Sequence, residues 1–194
     1  MFHFTSDKRG EILAASITVF ATYGFRKTSM DDLAKAAGVS RPALYQVFKN
    51  KTDIFRALSF FMLERAEEVA KTELDGDGAF PDRLIRSVDR SILDVMRLLD
   101  DSPHGADLIG VNDQIASDID REWHRRMSVI FGGAIEAAIV AGEIAPLPIE
   151  DGQIGRLFSQ FMEGTRREHA NAEKMREDIV SFIALIASKP ASTP

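Results

Sequence analysis

The stretch that decides the fold spans residues 31–51 and has the sequence DDLAKAAGVSRPALYQVFKNK. Leu33 and Ala37 lie one helical turn apart, which predicts a first short helix with a small apolar face. Gly38 allows the positive φ of a tight turn, and Ser40 is a favourable N-cap for a following helix with proline in its first turn. The pattern predicts a helix-turn-helix.

The second helix of this pair has two different faces. Leu44 and Phe48 lie one turn apart and anchor one face in the interior. The opposite face carries donors and small side chains, as a helix in the major groove of DNA requires. Arg41 is suited to either a guanine edge or a phosphate.

The residues from Asp32 to Lys51 closely resemble the signature of the TetR family of bacterial repressors, and Ile12-Leu13-Ala14-Ala15 upstream fits the same pattern. The resemblance covers about residues 8–56. It implies an all-α protein of about nine helices that binds a palindromic operator as a homodimer and is released by a small molecule. It also implies that a hydroxyl before the first helix of the pair contacts a phosphate. The candidate DNA-contacting residues are Thr28, Ser29, Ser40, Arg41, Pro42, Ala43, Tyr45, Gln46, Lys49 and Lys51.

The charge is divided unevenly along the chain. The whole sequence has a net charge of −6, but residues 1–56 hold nine basic and five acidic side chains, a balance of +4. The remainder has 15 basic and 25 acidic groups, a balance of −10. A basic N-terminal part on an acidic body favours contact with phosphates through the N-terminal part alone.

Helical periodicity continues through the rest of the chain. We expect helices over about 7–23, from residue 30 to Gly38, after Ser40, and over 51–74. The body helices are expected over 81–100, 105–111, 113–141, 150–169 and 172–187. The predicted domains are a helix-turn-helix DNA-binding domain at 1–52 and a helical ligand-binding and dimerisation domain at 53–194.

The last two predicted helices have the clearest amphipathic pattern. A hairpin with this much apolar surface is suited to pairing with a second copy in a four-helix interface. The candidate interface residues are Ile154, Leu157, Phe161, Ile179, Phe182 and Ile183. Gly155 and Gly164 are expected to permit close helix packing.

Aromatic and sulfur-containing side chains of the body are candidates for an apolar ligand site, although the same pattern is typical of ordinary core. They are Phe61, Met62, Met96, Trp123, Met127, Phe131, Phe158 and Met162. The ligand, if bound, is expected to be a largely apolar effector.

Several classes are disfavoured. The chain has no cysteine, and its histidines are not spaced as metal ligands, so we expect no metal and no cofactor. No catalytic constellation is visible, which argues against an enzyme. No secretion signal or membrane span is visible either, so a cytoplasmic protein is expected. Two alternatives stay open: a helical ligand-binding or protein-interaction module without DNA binding, and a transcriptional activator.

Overall fold

The computed structural model describes residues 7–150, 152–169 and 171–187. Over these residues the chain is helical without a strand, which confirms the predicted all-α class. The helices are α1 Lys8–Tyr23, α2 Met30–Ala36, α3 Arg41–Val47, α4 Lys51–Leu74, α5 Phe80–Val88, α6 Asp94–Asp100, α7 Gly105–Ile115, α8 Ser117–Val140, α9 Gln153–Glu168 and α10 Ala172–Ala187. A π-helical turn, Asp89–Leu93, joins α5 to α6, so the predicted helix at 81–100 is one continuous run.

Helix α1 begins and ends at the residues that its sequence indicates. The Asp7 carboxylate accepts the N–H of Gly10 at 2.8 Å and caps the first turn. Gly24 ends the helix with φ +77° and ψ 157°, a conformation that is nearly restricted to glycine. A Cβ at Gly24 would also lie 3.1 Å from Nδ1 of His104.

The boundary between α7 and α8 differs from the prediction. We predicted a break at residue 112, but α7 continues to Ile115 and the break falls at the fully buried Ala116. The Arg56 guanidinium donates to the terminal carbonyl of Ile115 at 2.7 Å and to both carboxylate oxygens of Asp118 at 2.7 Å. A side chain far away in sequence therefore contacts both sides of this break, and local propensity does not reveal such a contact.

The chain divides into two compact units. Among the described residues, the first contains residues 7–63 together with Leu98–Arg121, and the second contains Glu64–Arg97 and the residues from Glu122 to Ala187. In the first unit, Leu108 and Val111 of α7 belong to the same buried cluster as the apolar residues of α1 to α3. The functional boundary after residue 52 stays a prediction.

The second unit has its own core, with a close approach of α8 and α9. A Cβ on Gly132 would lie 2.8 Å from Cα of Gly155, and a Cβ on Gly155 would collide with the carbonyl oxygen of Ser128. Gly155 thus permits close packing, as expected. At Gly164 a Cβ would meet nothing within 4 Å, so no close contact within the described chain requires that glycine. None of the described helices is long and apolar enough to cross a membrane.

Candidate nucleic-acid interface

The turn between α2 and α3 has the structure that the sequence predicts. Gly38 has φ +65°. The N–H of Val39 donates to the carbonyl of Ala34 at 3.0 Å and closes the turn. The Ser40 hydroxyl accepts the N–H of Ala43 at 3.3 Å and caps α3. Local hydrogen bonds therefore fix where α3 begins.

Buried apolar side chains hold α3 against the rest of the first unit. Leu44 and Leu33 are fully buried, and Phe48 is 1% exposed. The predicted anchors thus lie in the core, and the other face of α3 remains exposed.

The exposed face of α3 is polar. Its members, which lie at the surface on or directly beside the helix, are Ser40, Arg41, Pro42, Tyr45, Gln46 and Lys49. Ala43 is half-buried among them. The arrangement offers hydrogen-bond donors at the spacing of one helix face, which is what contact with base edges or phosphates requires.

Arg41 is held by two neighbours. Its Nη1 lies 3.1 Å from both carboxylate oxygens of Asp31, and its Cζ lies 5.6 Å from the centroid of the Tyr45 ring. The pKa of Arg41 is raised, first by a hydrogen bond with Tyr45 and then by the negative charge of Asp31. The guanidinium is therefore oriented before any ligand arrives.

The two side chains at Thr28 and Lys51 lie elsewhere than the sequence suggests. Thr28 is 3% exposed, and its hydroxyl donates to the carbonyl of Gly24 at 2.7 Å. The Lys51 ammonium donates to the carbonyls of Phe25, Arg26 and Thr28 at 2.8, 3.0 and 2.9 Å. All three of its protons are used, so we correct the interpretation: both residues hold the loop before α2 and are left out of the proposed DNA contacts.

Ser29 is exposed but forms part of a capping box. Its hydroxyl donates to Oδ2 of Asp32 at 2.6 Å and accepts the N–H of Asp32 at 3.2 Å. The same carboxylate oxygen accepts the N–H of Ser29 at 2.8 Å. These hydrogen bonds lower the pKa of Asp32. Ser29 thus fixes the start of α2 and still presents its oxygen at the surface.

Two residues of this surface were not predicted from the sequence. Arg9 places its Cζ 4.6 Å from the centroid of the Phe48 ring and is exposed, which brings a cation from α1 close to the end of α3. Asp31 is the carboxylate partner of Arg41. The charge count included both, but no local spacing connects either residue to α3.

The candidate ligand-binding residues fall into three groups. Four are at most 6% exposed in the core of the second unit: Met127, Phe131, Phe158 and Met162. Met96 and Trp123 are half-buried against that core. Phe61 and Met62 are half-buried in the first unit. The four core residues pack as ordinary interior, which was the alternative that the spacing left open.

The candidate interface residues also fall into two groups, one buried and one at least partly exposed. Ile154, Ile179 and Ile183 are at most 4% exposed and belong to the core of their own chain, so we correct their assignment to a dimer interface. Leu157 is 37% exposed. Phe161 and Phe182 are half-buried and stack on each other, with ring centroids 4.4 Å apart.

Potential metal ligands are dispersed. Across the described ranges, no group of three or more His, Asp or Glu side chains is arranged to hold a metal ion.

The sequence that contains the helix-turn-helix is similar to sequences of known proteins. Residues 12–58, which include the helix-turn-helix, match the sequence profile described as "Bacterial regulatory proteins, tetR family". The chain thus contains a helix-turn-helix, and its residues 12–58 are similar to the tetR family of bacterial regulatory proteins, in agreement with the resemblance of its sequence.

Individual relatives match different shares of the chain. The HTH-type transcriptional activator FasR of Mycolicibacterium smegmatis is 40% identical over 52 residues, which span 27% of this chain and only 24% of FasR. The probable HTH-type transcriptional regulator ArpR of Pseudomonas putida is 26% identical over 168 residues, 77% of this chain and 80% of ArpR. The crystal structure of reduced NemR from E. coli has a TM-score of 0.71 at 18% identity, covering 95% of this chain and 100% of NemR, and thus shares the fold.

Proposed function

We propose that the protein is a transcriptional regulator that inserts α3 into the major groove of an operator. The observation that supports this most strongly is that α3 exposes a polar face while Leu44, on its opposite face, is fully buried. In this proposal Arg41 and Gln46 contact base edges, because both are exposed donors on α3, and Tyr45 and Lys49 contact phosphates. Arg9 supplies a further cation near the end of α3.

The operator is palindromic in this proposal because the regulator acts as a homodimer. Leu157, Phe161 and Gly164 lie on one face of α9 at i, i+4 and i+7. Beside them on α10 are Phe182, stacked on Phe161, and Leu185, which is 70% exposed. Large exposed apolar side chains beside a glycine with open space above its backbone favour the close approach of a second copy of the hairpin. We assign the interface to these residues.

The proposed effector is a small, largely apolar molecule bound in the body. Met96 and Trp123 support this because they combine partial exposure with contact to the apolar core. If binding releases DNA, linkage requires operator DNA to weaken effector binding by the same factor. Titration of an effector found by thermal-shift screening, with and without operator, tests this reciprocity, and equal affinities would contradict it.

The direction of regulation has two candidates. Repression is the mode that the family resemblance implies, whereas the name of the matched relative FasR is that of an activator. In vitro transcription from a promoter containing the selected operator distinguishes them. We expect addition of the protein to lower the transcript yield, and a raised yield would favour the activator.

DNA binding itself is tested by fluorescence anisotropy with a duplex enriched from a randomised library. For each phosphate that the protein neutralises, we expect log K to fall by about 0.9 per tenfold increase in salt concentration. The affinity should therefore drop steeply between about 50 and about 200 mM salt. A protein-interaction module without DNA binding would enrich no duplex. Affinity that stays flat with salt would also contradict the proposal.

A further inference from the structure

The ion pair between Arg41 and Asp31 joins α3 to the first turn of α2. Both side chains are largely exposed, at 58% and 62%, so the pair adds little to the stability of the fold. It does fix the guanidinium: Asp31 holds Nη1, and the Tyr45 ring lies 5.6 Å from Cζ on the same helix. The pair therefore affects which groups Arg41 can contact more than it affects the stability of the fold.

We infer that Asp31 is a positioning residue that orients Arg41 to contact a base pair rather than a phosphate, and that it thereby determines sequence specificity. This inference rests on the proposed function. Asp31 acts through Arg41 and is not itself expected to contact the DNA.

The choice of a base over a phosphate follows from charge and geometry. A guanidinium whose charge is balanced by an adjacent carboxylate gains little from a phosphate and displaces few counterions. A bidentate contact to O6 and N7 of guanine needs a plane held in a fixed orientation. Arginine has five N–H donors, so pairing through Nη1 leaves donors for the base edge.

The carboxylate of Asp31 also affects the affinity for mixed-sequence DNA. Its charge opposes close approach of the phosphate backbone wherever Arg41 gains no base contact in return. Removal of this charge should thus strengthen binding to mixed-sequence DNA while it loosens Arg41. Both effects reduce the ratio of selected to mixed-sequence affinity.

The test uses the full chain and two duplexes: one enriched from a randomised library by the wild-type protein, and a mixed-sequence duplex. Asp31→Asn is compared with Glu11→Gln, which removes the same charge from the exposed first turn of α1. We expect Asp31→Asn to lower the affinity ratio by about tenfold, the scale of one bidentate base contact. Glu11→Gln should change the affinities for both duplexes by a similar factor and preserve the ratio.

A double-mutant cycle tests whether Asp31 acts through Arg41. Arg41→Lys keeps the charge but removes the planar bidentate fork, so it should lower the ratio as well. If the inference holds, adding Asp31→Asn to Arg41→Lys lowers the ratio no further. Independent, multiplying losses would overturn it, as would an unchanged ratio in Asp31→Asn. If the wild-type protein enriches no duplex at all, the proposed function itself fails.

Discussion

The exposed face of the short helix α3 is polar, whereas the surface of the longer α9–α10 hairpin also exposes large apolar side chains. On α3 the exposed side chains are polar, and caps within a few residues fix their positions. On the hairpin the exposed side chains include Leu157 and Leu185, next to a core of the same apolar residue types. A polar functional surface can thus be recognised from local pattern, whereas an apolar one must first be separated from the core.

The largest expected effect tests the core side of the hairpin. Phe158 is fully buried, and its ring centroid lies 5.2 Å from that of Phe131 and 5.8 Å from that of Phe182. Phe158→Ala should lower the free energy of unfolding by about 3–5 kcal/mol because it leaves a cavity. Chemical denaturation measures this. A loss below about 1 kcal/mol would mean that Phe158 faces open space, as a ligand pocket requires.

The exposed side of the same hairpin should respond differently. Leu157→Asp places a charge in the proposed dimer interface and should weaken dimerisation by about 2 kcal/mol or more, while the chain stays folded. Ile183→Asp, the matched change in the core, should unfold the second unit instead because it buries an unpaired charge. Sedimentation velocity and circular dichroism distinguish the two. A folded, dimeric Leu157→Asp would place the interface elsewhere.

Local features of the chain could be predicted from the sequence, whereas features that depend on distant contacts could not. Ser40 and Gly38 were placed correctly because caps and tight turns depend on neighbours three or four residues away. The predicted end of α7 was wrong, because the observed end at Ile115 is contacted by Arg56, which lies far away in sequence. Ile154, Ile179 and Ile183 were assigned to the interface because their periodicity is strong. A helix that serves both the core and a partner has two apolar stripes, and the stronger stripe faces the core.

Two lysines at the end of the helix-turn-helix, Lys49 and Lys51, are expected to have different roles. Lys51→Met removes three hydrogen bonds from the loop before α2 and should cost about 1.5 kcal/mol of stability. The salt dependence of DNA binding should stay unchanged. Lys49→Met, at an exposed position, should leave stability unchanged and reduce the salt slope by about 1. Denaturation and salt titration measure both, and the reverse pattern would return Lys51 to the DNA-contacting set.

The smallest expected effect concerns the capping box of α2. Ser29→Ala removes the hydroxyl that accepts the N–H of Asp32 and should cost about 1 kcal/mol. Ser181→Ala is the matched control, since that exposed hydroxyl donates only to the carbonyl one turn earlier within α10 and caps nothing. Thermal denaturation of both variants measures the difference. Equal stability of the two would mean that the box adds nothing to α2.

The carboxylate half of the box adds a pH dependence. Hydrogen bonds from Ser29 lower the pKa of Asp32 in the folded state, so the ionised carboxylate stabilises the fold above the ordinary pKa of an aspartate. This stabilisation is lost as the pH falls through the lowered pKa. The stability difference between the wild type and Asp32→Asn should therefore be largest near neutral pH and should disappear once the pH falls below the lowered pKa of Asp32. Denaturation across this range measures it. A difference that stays constant would mean that the charge of Asp32 does not contribute, and that the start of α2 is held by the Ser29 hydroxyl alone.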